Sequence, residues 1–174
     1  MRLLKSTVHS DIKDLSATKF HRKAARAIVL KNDNILMLYT ARYHDYTLPG
    51  GGIDDGEDAI EGMKRELREE TGAQNIRDIQ SFGLYEEFRP WYKNDCDIMH
   101  MESYCYVCKI DDELLQPEFE SHEINNGMKP VWMNIHQAIE HNEHTMANSA
   151  KKGMSIERET FLLKLIVEEL LEAA

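Results

Sequence analysis

The chain has 174 residues, enough for one domain with a substantial core and tight for two. Its 31 acidic residues against 21 basic ones give a formal charge of −10. That balance disfavours nonspecific binding to nucleic acid or anionic membranes and leaves a small anionic substrate in need of a bridging cation. No run approaches the roughly eighteen apolar residues of a membrane span, and the first residues carry no apolar segment with a cleavage site, so a cytoplasmic protein is expected. Three cysteines, Cys96, Cys105 and Cys108, are too sparse for a disulfide framework.

Residues 1–22 are polar and mixed, and read as an N-terminal extension that adds a strand or a short helix to the domain of residues 23–174. Residues 24–30 (AARAIVL) and 35–40 (ILMLYT) are apolar runs around a turn signal, which predicts a hairpin. Pro49 stops the following segment, and Gly50, Gly51 and Gly52 allow the backbone conformations of a tight turn. Asp54 or Asp55 is placed to cap a helix that runs to about Thr71 and ends at Gly72. Residues 76–88 predict one or two strands around Gly83, and residues 89–97 a loop exposing Trp91 and Tyr92.

Residues 98–110 form a long predicted strand in which Cys105 and Cys108 fall on opposite faces, as buried thiols rather than a zinc or redox pair. An acidic segment, residues 111–123, leads through Asn125-Asn126-Gly127 into a short strand at 130–133. Asn134 caps a predicted helix over 135–141, and Phe161, Leu162, Leu165, Ile166 and Leu170 recur at helical spacing in a terminal helix over 155–171. Strands interleaved with three helices predict an α/β fold, an α/β/α sandwich around a mixed β-sheet.

The chemistry concentrates in residues 51–73, GGIDDGEDAIEGMKRELREETGA. On a helix Glu66 and Glu70 stack one turn apart with Glu69 beside them, while Ile60, Met63 and Leu67 share a neighbouring apolar stripe. Like charges at this spacing each cost a few tenths of a kcal/mol, about what a solvated face tolerates. A hard divalent cation such as Mg2+ or Mn2+ takes just such oxygen ligands. Gly62, one turn before Glu66, leaves room for a loop or a ligand.

Counting from Gly51, five residues lead to Glu57 and seven more to Arg65, followed by Glu66-Leu67-Arg68-Glu69-Glu70-Thr71-Gly72-Ala73. This resembles the Nudix box, G-x5-E-x7-R-E-U-x-E-E-x-G-U with U aliphatic, at every fixed position. Ala73 is smaller than the usual residue there, which loosens packing at the helix exit and touches no chemistry. The resemblance implies the Nudix fold from about residue 22 to the end. It also implies hydrolysis of the diphosphate linkage of a nucleoside diphosphate derivative by metal-activated water.

By the same resemblance Glu66, Glu69 and Glu70 are the ligands of Mg2+ or Mn2+, with the Gly50 carbonyl a fourth protein oxygen, and Glu66 and Glu69 count as catalytic. Gly51, Glu57, Arg65 and Gly72 are the structural positions of the box, Arg65 being expected to pair with Glu57 or Glu61. The general base is expected at Glu120, then Glu123, with Glu102 a further candidate. Arg42 lies where related enzymes place an arginine on substrate phosphates. Tyr46 and Trp91, together with Tyr43, His44 and Tyr92, are candidates to stack on a base. His141 and His144 sit at a polar helix end and read as solvated.

The partner implied is a small nucleotide, first a nucleoside triphosphate and otherwise ADP-ribose or a dinucleoside polyphosphate, with no nucleic-acid or membrane partner; a homodimer is compatible with it. The competing class is a non-catalytic nucleotide sensor, which usually loses box carboxylates that this chain keeps.

Overall fold

The computed structural model describes residues 1–173. Its elements in chain order are β1 (Leu3–Val8), β2 (Lys19–Ile28), β3 (Leu30–Lys31), β4 (Asn34–Thr40), β5 (Asp45–Thr47), β6 (Gly50–Gly52), α1 (Ala59–Thr71), β7 (Arg77–Pro90), β8 (Ile98–Lys109), α2 (Ser121–Asn125), β9 (Met128–Asn134), α3 (Ile135–Asn148) and α4 (Ile156–Ile166), which continues as a π-helical turn over Val167–Glu172. The strands form a mixed five-stranded sheet, β1-β7-β8-β2-β6, and a four-stranded sheet in which β4 pairs with β3, β5 and β9.

The two apolar runs expected to make one hairpin separate after a short contact. Leu36 donates to the Val29 carbonyl at 3.0 Å and β3 pairs with β4, but β2 departs to run parallel to β8 from Lys19↔Ile98 to Ile28↔Val107. Ten residues of ladder with β8 outweigh a two-residue hairpin arm, because every buried backbone polar group needs a partner. Residues 77–88 form part of one strand rather than two, with irregular register between Ser81 and Gly83. In the N-terminal extension, β1 adds a strand parallel to β7.

Helices cover both sides of this layer. Met63 and Leu67 of α1 pack with Ala25, Ala27, Leu36 and Cys108 in one core cluster. Leu162, Leu163 and Ile166 of α4 and Ile135 and Ala138 of α3 pack with Ile28, Met37 and Cys105 in the other. Cys105 and Cys108 thus lie on opposite faces of β8, and burial pushes their thiols up to about 12 and about 11, which keeps them protonated.

Asp58, rather than Asp54 or Asp55, caps α1: its backbone is extended and its carboxylate accepts from the Ile60 and Glu61 N–H groups. Asp54 instead lies in the preceding turn, where its N–H donates to Glu57 at 3.1 Å. Gly72 ends the helix with a left-handed φ of 73°. Asn134 caps α3, which extends past the expected end at His141 to Asn148.

A buried ionic network ties the last helix to the sheet. The guanidinium of Arg158, 2% exposed, donates to Glu159 Oε1 at 2.9 Å and to Glu87 Oε2 at 2.7 Å, while Arg89 donates to Glu87 Oε1 at 2.6 Å. The other oxygen of Glu159 accepts the Leu48 N–H at 2.8 Å, so α4 grips the chain immediately ahead of the glycine turn.

Candidate metal and diphosphate site

The glycine turn and α1 build the site together. β6 pairs with β2, setting Gly50 opposite Arg26 and Gly52 opposite Ala24. A Cβ on Gly50, whose φ is 151°, would meet the Ala25 carbonyl oxygen at 2.1 Å, and one on Gly51 would meet the Glu66 carboxylate at 2.6 Å. Lacking both, the turn lies directly on α1, and the Gly50 N–H donates to Glu70 Oε2 at 2.7 Å.

Arg65 clamps this arrangement. Its Nε and Nη2 fork both oxygens of Glu57 at 2.9 and 3.0 Å, Nη2 reaches the Gly52 carbonyl at 3.0 Å, and Nη1 donates to Glu66 at 2.9 Å. This bond network, led by the Glu57 hydrogen bonds, raises the Arg65 pKa, while Arg65 draws Glu57 down to about 2. The alternative partner, Glu61, pairs with Lys64 at 3.0 Å. The space that Gly62 provides is filled by the loop, since a Cβ there would meet Glu57 at 2.9 Å.

Carboxylate oxygens of Glu66, Glu70 and Glu123 lie within 4.8 Å of one another. Glu70 is 3% exposed, and burial, then the charges of Glu66 and Glu123, raise its pKa well above the usual range against the Gly50 hydrogen bond. Burial likewise raises Glu66 in spite of Arg65. Three converging hard oxygen ligands, two of them on buried side chains, fit a divalent cation.

Glu123 reaches the trio from α2 and also accepts the Glu120 N–H at 2.6 Å. Glu69 stands aside, its Oε2 3.5 Å from Arg65. Glu120 is exposed and pairs with His122 at 3.2 Å, although it lines the same cleft. The Gly50 carbonyl accepts from Arg26 Nη1 at 3.1 Å, which occupies one of its lone pairs.

The sequence model of the NUDIX domain matches residues 20–155. The chain belongs to the Nudix family. Among curated relatives, an RNA pyrophosphohydrolase of Bartonella henselae is 41% identical over 56 residues, 32% of this chain and 29% of its own length. Nudix hydrolase 13, mitochondrial, of Arabidopsis thaliana is 29% identical over 111 residues, 61% of this chain and 52% of its own. The chain thus spans between under a third and about half of these relatives. A NUDIX hydrolase from Nitrosomonas europaea superposes with a TM-score of 0.55 at 15% identity, covering 83% of this chain and 88% of that one. A MutT protein from Bacillus halodurans gives 0.53 at 22%, covering 68% and 72%. Both are likenesses of fold.

In this Nudix chain the acidic trio opens into a cleft of about 1100 Å³ that Arg22, Lys23 and Arg26 of β2 also line. Sequence reasoning missed these cations, leaving Arg22 in the N-terminal extension and Arg26 inside the first apolar run. The signal was there as the basic stretch KFHRKAAR, running into the first apolar segment. Arg42, Tyr46 and Trp91 are not among the described residues lining this cleft. Arg42 is exposed and donates to Asn126 Oδ1 at 3.1 Å. Trp91 is half-buried rather than exposed, stacked on Phe20 with ring centroids 5.8 Å apart, and Phe20 is what meets the cleft.

Tyr46 lies in an aromatic group with Tyr39 and His141, at 5.1 and 4.7 Å. His141 is therefore packed rather than solvated, and bonds the His44 carbonyl at 3.1 Å, while His144 is exposed. No described helix is long and apolar enough to cross a membrane.

Asp45, next to the buried network, is pushed up to about 7 by burial and then by the charge of Glu159, against the pull of Arg158. A carboxyl whose folded pKa lies above its ordinary 3.8 contributes stability that is fully present below that value and is lost as pH rises towards 7. The loss amounts to roughly 4 kcal/mol. Between those pH values the urea midpoint of the wild type is expected to fall relative to that of Asp45→Asn. Parallel profiles for the two proteins would show that Asp45 folds in its ionised form.

Proposed function

We propose that this chain is a metal-dependent Nudix hydrolase that cleaves the diphosphate linkage of a nucleoside diphosphate derivative, with nucleoside triphosphates as its first substrate class. The observation that carries the reading is the convergence of Glu66, Glu70 and Glu123 in a cleft that Arg22, Lys23 and Arg26 also line. Carboxylates and cations meeting in one cleft suit a substrate diphosphate bridged to the carboxylates by a cation.

Mg2+ or Mn2+, when bound, neutralises phosphate oxygens and lowers the pKa of an attacking water. Glu66, Glu70 and Glu123 would hold it, and the Gly50 N–H and the Arg65 fork keep two of these carboxylates in place. Arg22 and Lys23 are placed to take the outward-facing phosphate oxygens. Glu120, which lines the cleft outside the trio, and Glu69, beside Glu70 on α1, are the side chains we assign to accept the proton of a water. The name of one curated relative, RNA pyrophosphohydrolase, agrees with pyrophosphate release from a triphosphate.

The test is a phosphate- and pyrophosphate-release panel over nucleoside triphosphates, ADP-ribose, dinucleoside polyphosphates and a 5′-triphosphorylated oligonucleotide, with Mg2+ or Mn2+. Turnover is expected with at least one nucleoside triphosphate and none after chelation. Silence across the panel, with nucleotide still bound, would favour the sensor instead.

A further inference from the structure

In the parallel ladder of β2 and β8, His21 lies directly beside His100, and Phe88 of β7 lies opposite His100 on its other side. The three rings stack across the strands: His21 on His100 with centroids 4.7 Å apart, and His100 on Phe88 at 4.4 Å with planes 5° from parallel. Two residues along each strand, Lys23, Glu102 and Glu86 form a second row in the same cross-strand order. Residues two apart on a strand share a face, so both rows project together.

Carboxylates directly opposite each other on neighbouring strands repel, and here each is offset by a histidine. His100 Nε2 lies 2.8 Å from Glu86 Oε2, whose partner oxygen accepts the Ser6 hydroxyl at 2.7 Å, and His21 Nε2 pairs with Glu102. An ionised carboxylate only accepts, so each imidazole donates from one nitrogen and keeps a lone pair on the other. Proteins orient metal-ligating histidines with just such carboxylates. Glu102, a candidate base from the sequence, is thereby committed to a histidine.

Ligand atoms of His21, His100 and Glu102 lie within 4.8 Å of one another. A tetrahedral zinc at about 2.0–2.1 Å from its nitrogen and oxygen ligands sets those atoms about 3.3 Å apart. Rotation of the His21 side chain, 46% exposed, closes that gap while Phe88 holds the His100 ring in place.

We propose that His21, His100 and Glu102 form a second cation site, selective for Zn2+ over Mg2+, with water as its fourth ligand. Two imidazoles and a carboxylate suit a borderline ion such as zinc, whereas the all-oxygen acidic trio suits a hard one. His21 also lines the cleft of the trio, so the zinc binds beside that group without sharing its side chains. Its ligands come from β2 and β8, so the ion cross-links two strands and stabilises the fold by mass action. The inference stands apart from the nucleotide reading, because it needs neither substrate nor turnover.

The test titrates Zn2+ into the metal-free protein against a chromogenic zinc chelator, with Mg2+ in excess to occupy the acidic trio. The wild type is expected to bind one Zn2+ per chain that the Mg2+ does not displace, with a rise in melting temperature. His21→Ala and Glu102→Gln should each weaken that binding about a hundredfold, and Glu86→Gln, which only orients His100, about tenfold. Combining Glu66→Gln with Glu70→Gln should change it by less than about twofold, since the two groups share no side chain. His21 is exposed, so His21→Ala keeps the test decisive if Glu102→Gln folds poorly. Absence of zinc binding in Mg2+, or an affinity that survives His21→Ala, would overturn the proposal. So would loss of the zinc in the Glu66→Gln, Glu70→Gln double variant, which would place the ion in the trio.

Discussion

Glu70→Gln is expected to lower turnover about a thousandfold while raising the melting temperature of the metal-free protein. The amide oxygen still accepts the Gly50 N–H that the carboxylate takes at 2.7 Å, so the glycine turn stays on α1. What disappears is one of three charges that would hold the cation, and a lost charge of that kind is worth several kcal/mol in the transition state. The stability change has the opposite sign. The folded state raises the Glu70 pKa above its ordinary 4.5, so the ionised side chain penalises the metal-free fold increasingly as pH rises above that value. Gln carries no such penalty. Added Mg2+ should stabilise the wild type and leave the variant nearly unmoved, by mass action on the folded state. Undiminished turnover, or an equal Mg2+ response in both proteins, would remove Glu70 from the site. Glu69→Gln makes the useful companion: a comparable loss without the gain in metal-free stability would fit a side chain that handles the attacking water beside the trio.

Arg158→Met should cost about 3–5 kcal/mol, the usual consequence of stranding buried charges. Glu87 and Glu159 are 5% and 0% exposed, and removing the guanidinium leaves Glu159 without its cation and Glu87 with Arg89 alone. For a chain of this length that corresponds to a fall of roughly 10 °C in melting temperature. Combining Arg158→Met with Glu159→Gln should recover most of the loss, because Glu159 then carries no charge that needs the cation and Glu87 keeps Arg89. The amide oxygen introduced by Glu159→Gln can still accept the Leu48 N–H that the carboxylate accepts in the wild type. Urea midpoints of the single and double variants decide the matter. A loss under about 1 kcal/mol in the single variant would mean that water reaches the carboxylates and the network is not sealed.

The two predictions differ in how visible their residues were beforehand. Glu70 stood out because i,i+4 spacing on a helix is a local property, and the box that contains it spans one turn and one helix. Arg158 read as one more charge on the polar stripe of the terminal helix, and nothing in its neighbourhood along the chain named Glu87, on a strand far away in sequence, as its partner. Glu123 is the intermediate case. It was singled out by its place in the acidic segment, as the second candidate for the base, and its convergence with Glu66 and Glu70 required α2 to be folded back towards α1. The stacking candidates went the same way: Tyr46 is taken up by packing against His141, while Tyr43, one of several aromatic choices, lines a separate cavity.

By itself, the sequence determined the acidic helix, its apolar seam, the glycine turn before it and the family. All of these follow from spacings within a few residues, where backbone geometry leaves little choice. Only the tertiary structure decided what surrounds that helix: the cations of β2 in the same cleft, the carboxylate of Glu123, and the burial that raises Glu70. Each depends on which distant strand pairs with which. β2 chose β8 over its neighbour β4 because a long ladder satisfies more backbone groups than a short hairpin, and that choice placed Arg22, Lys23 and Arg26 where a diphosphate would lie.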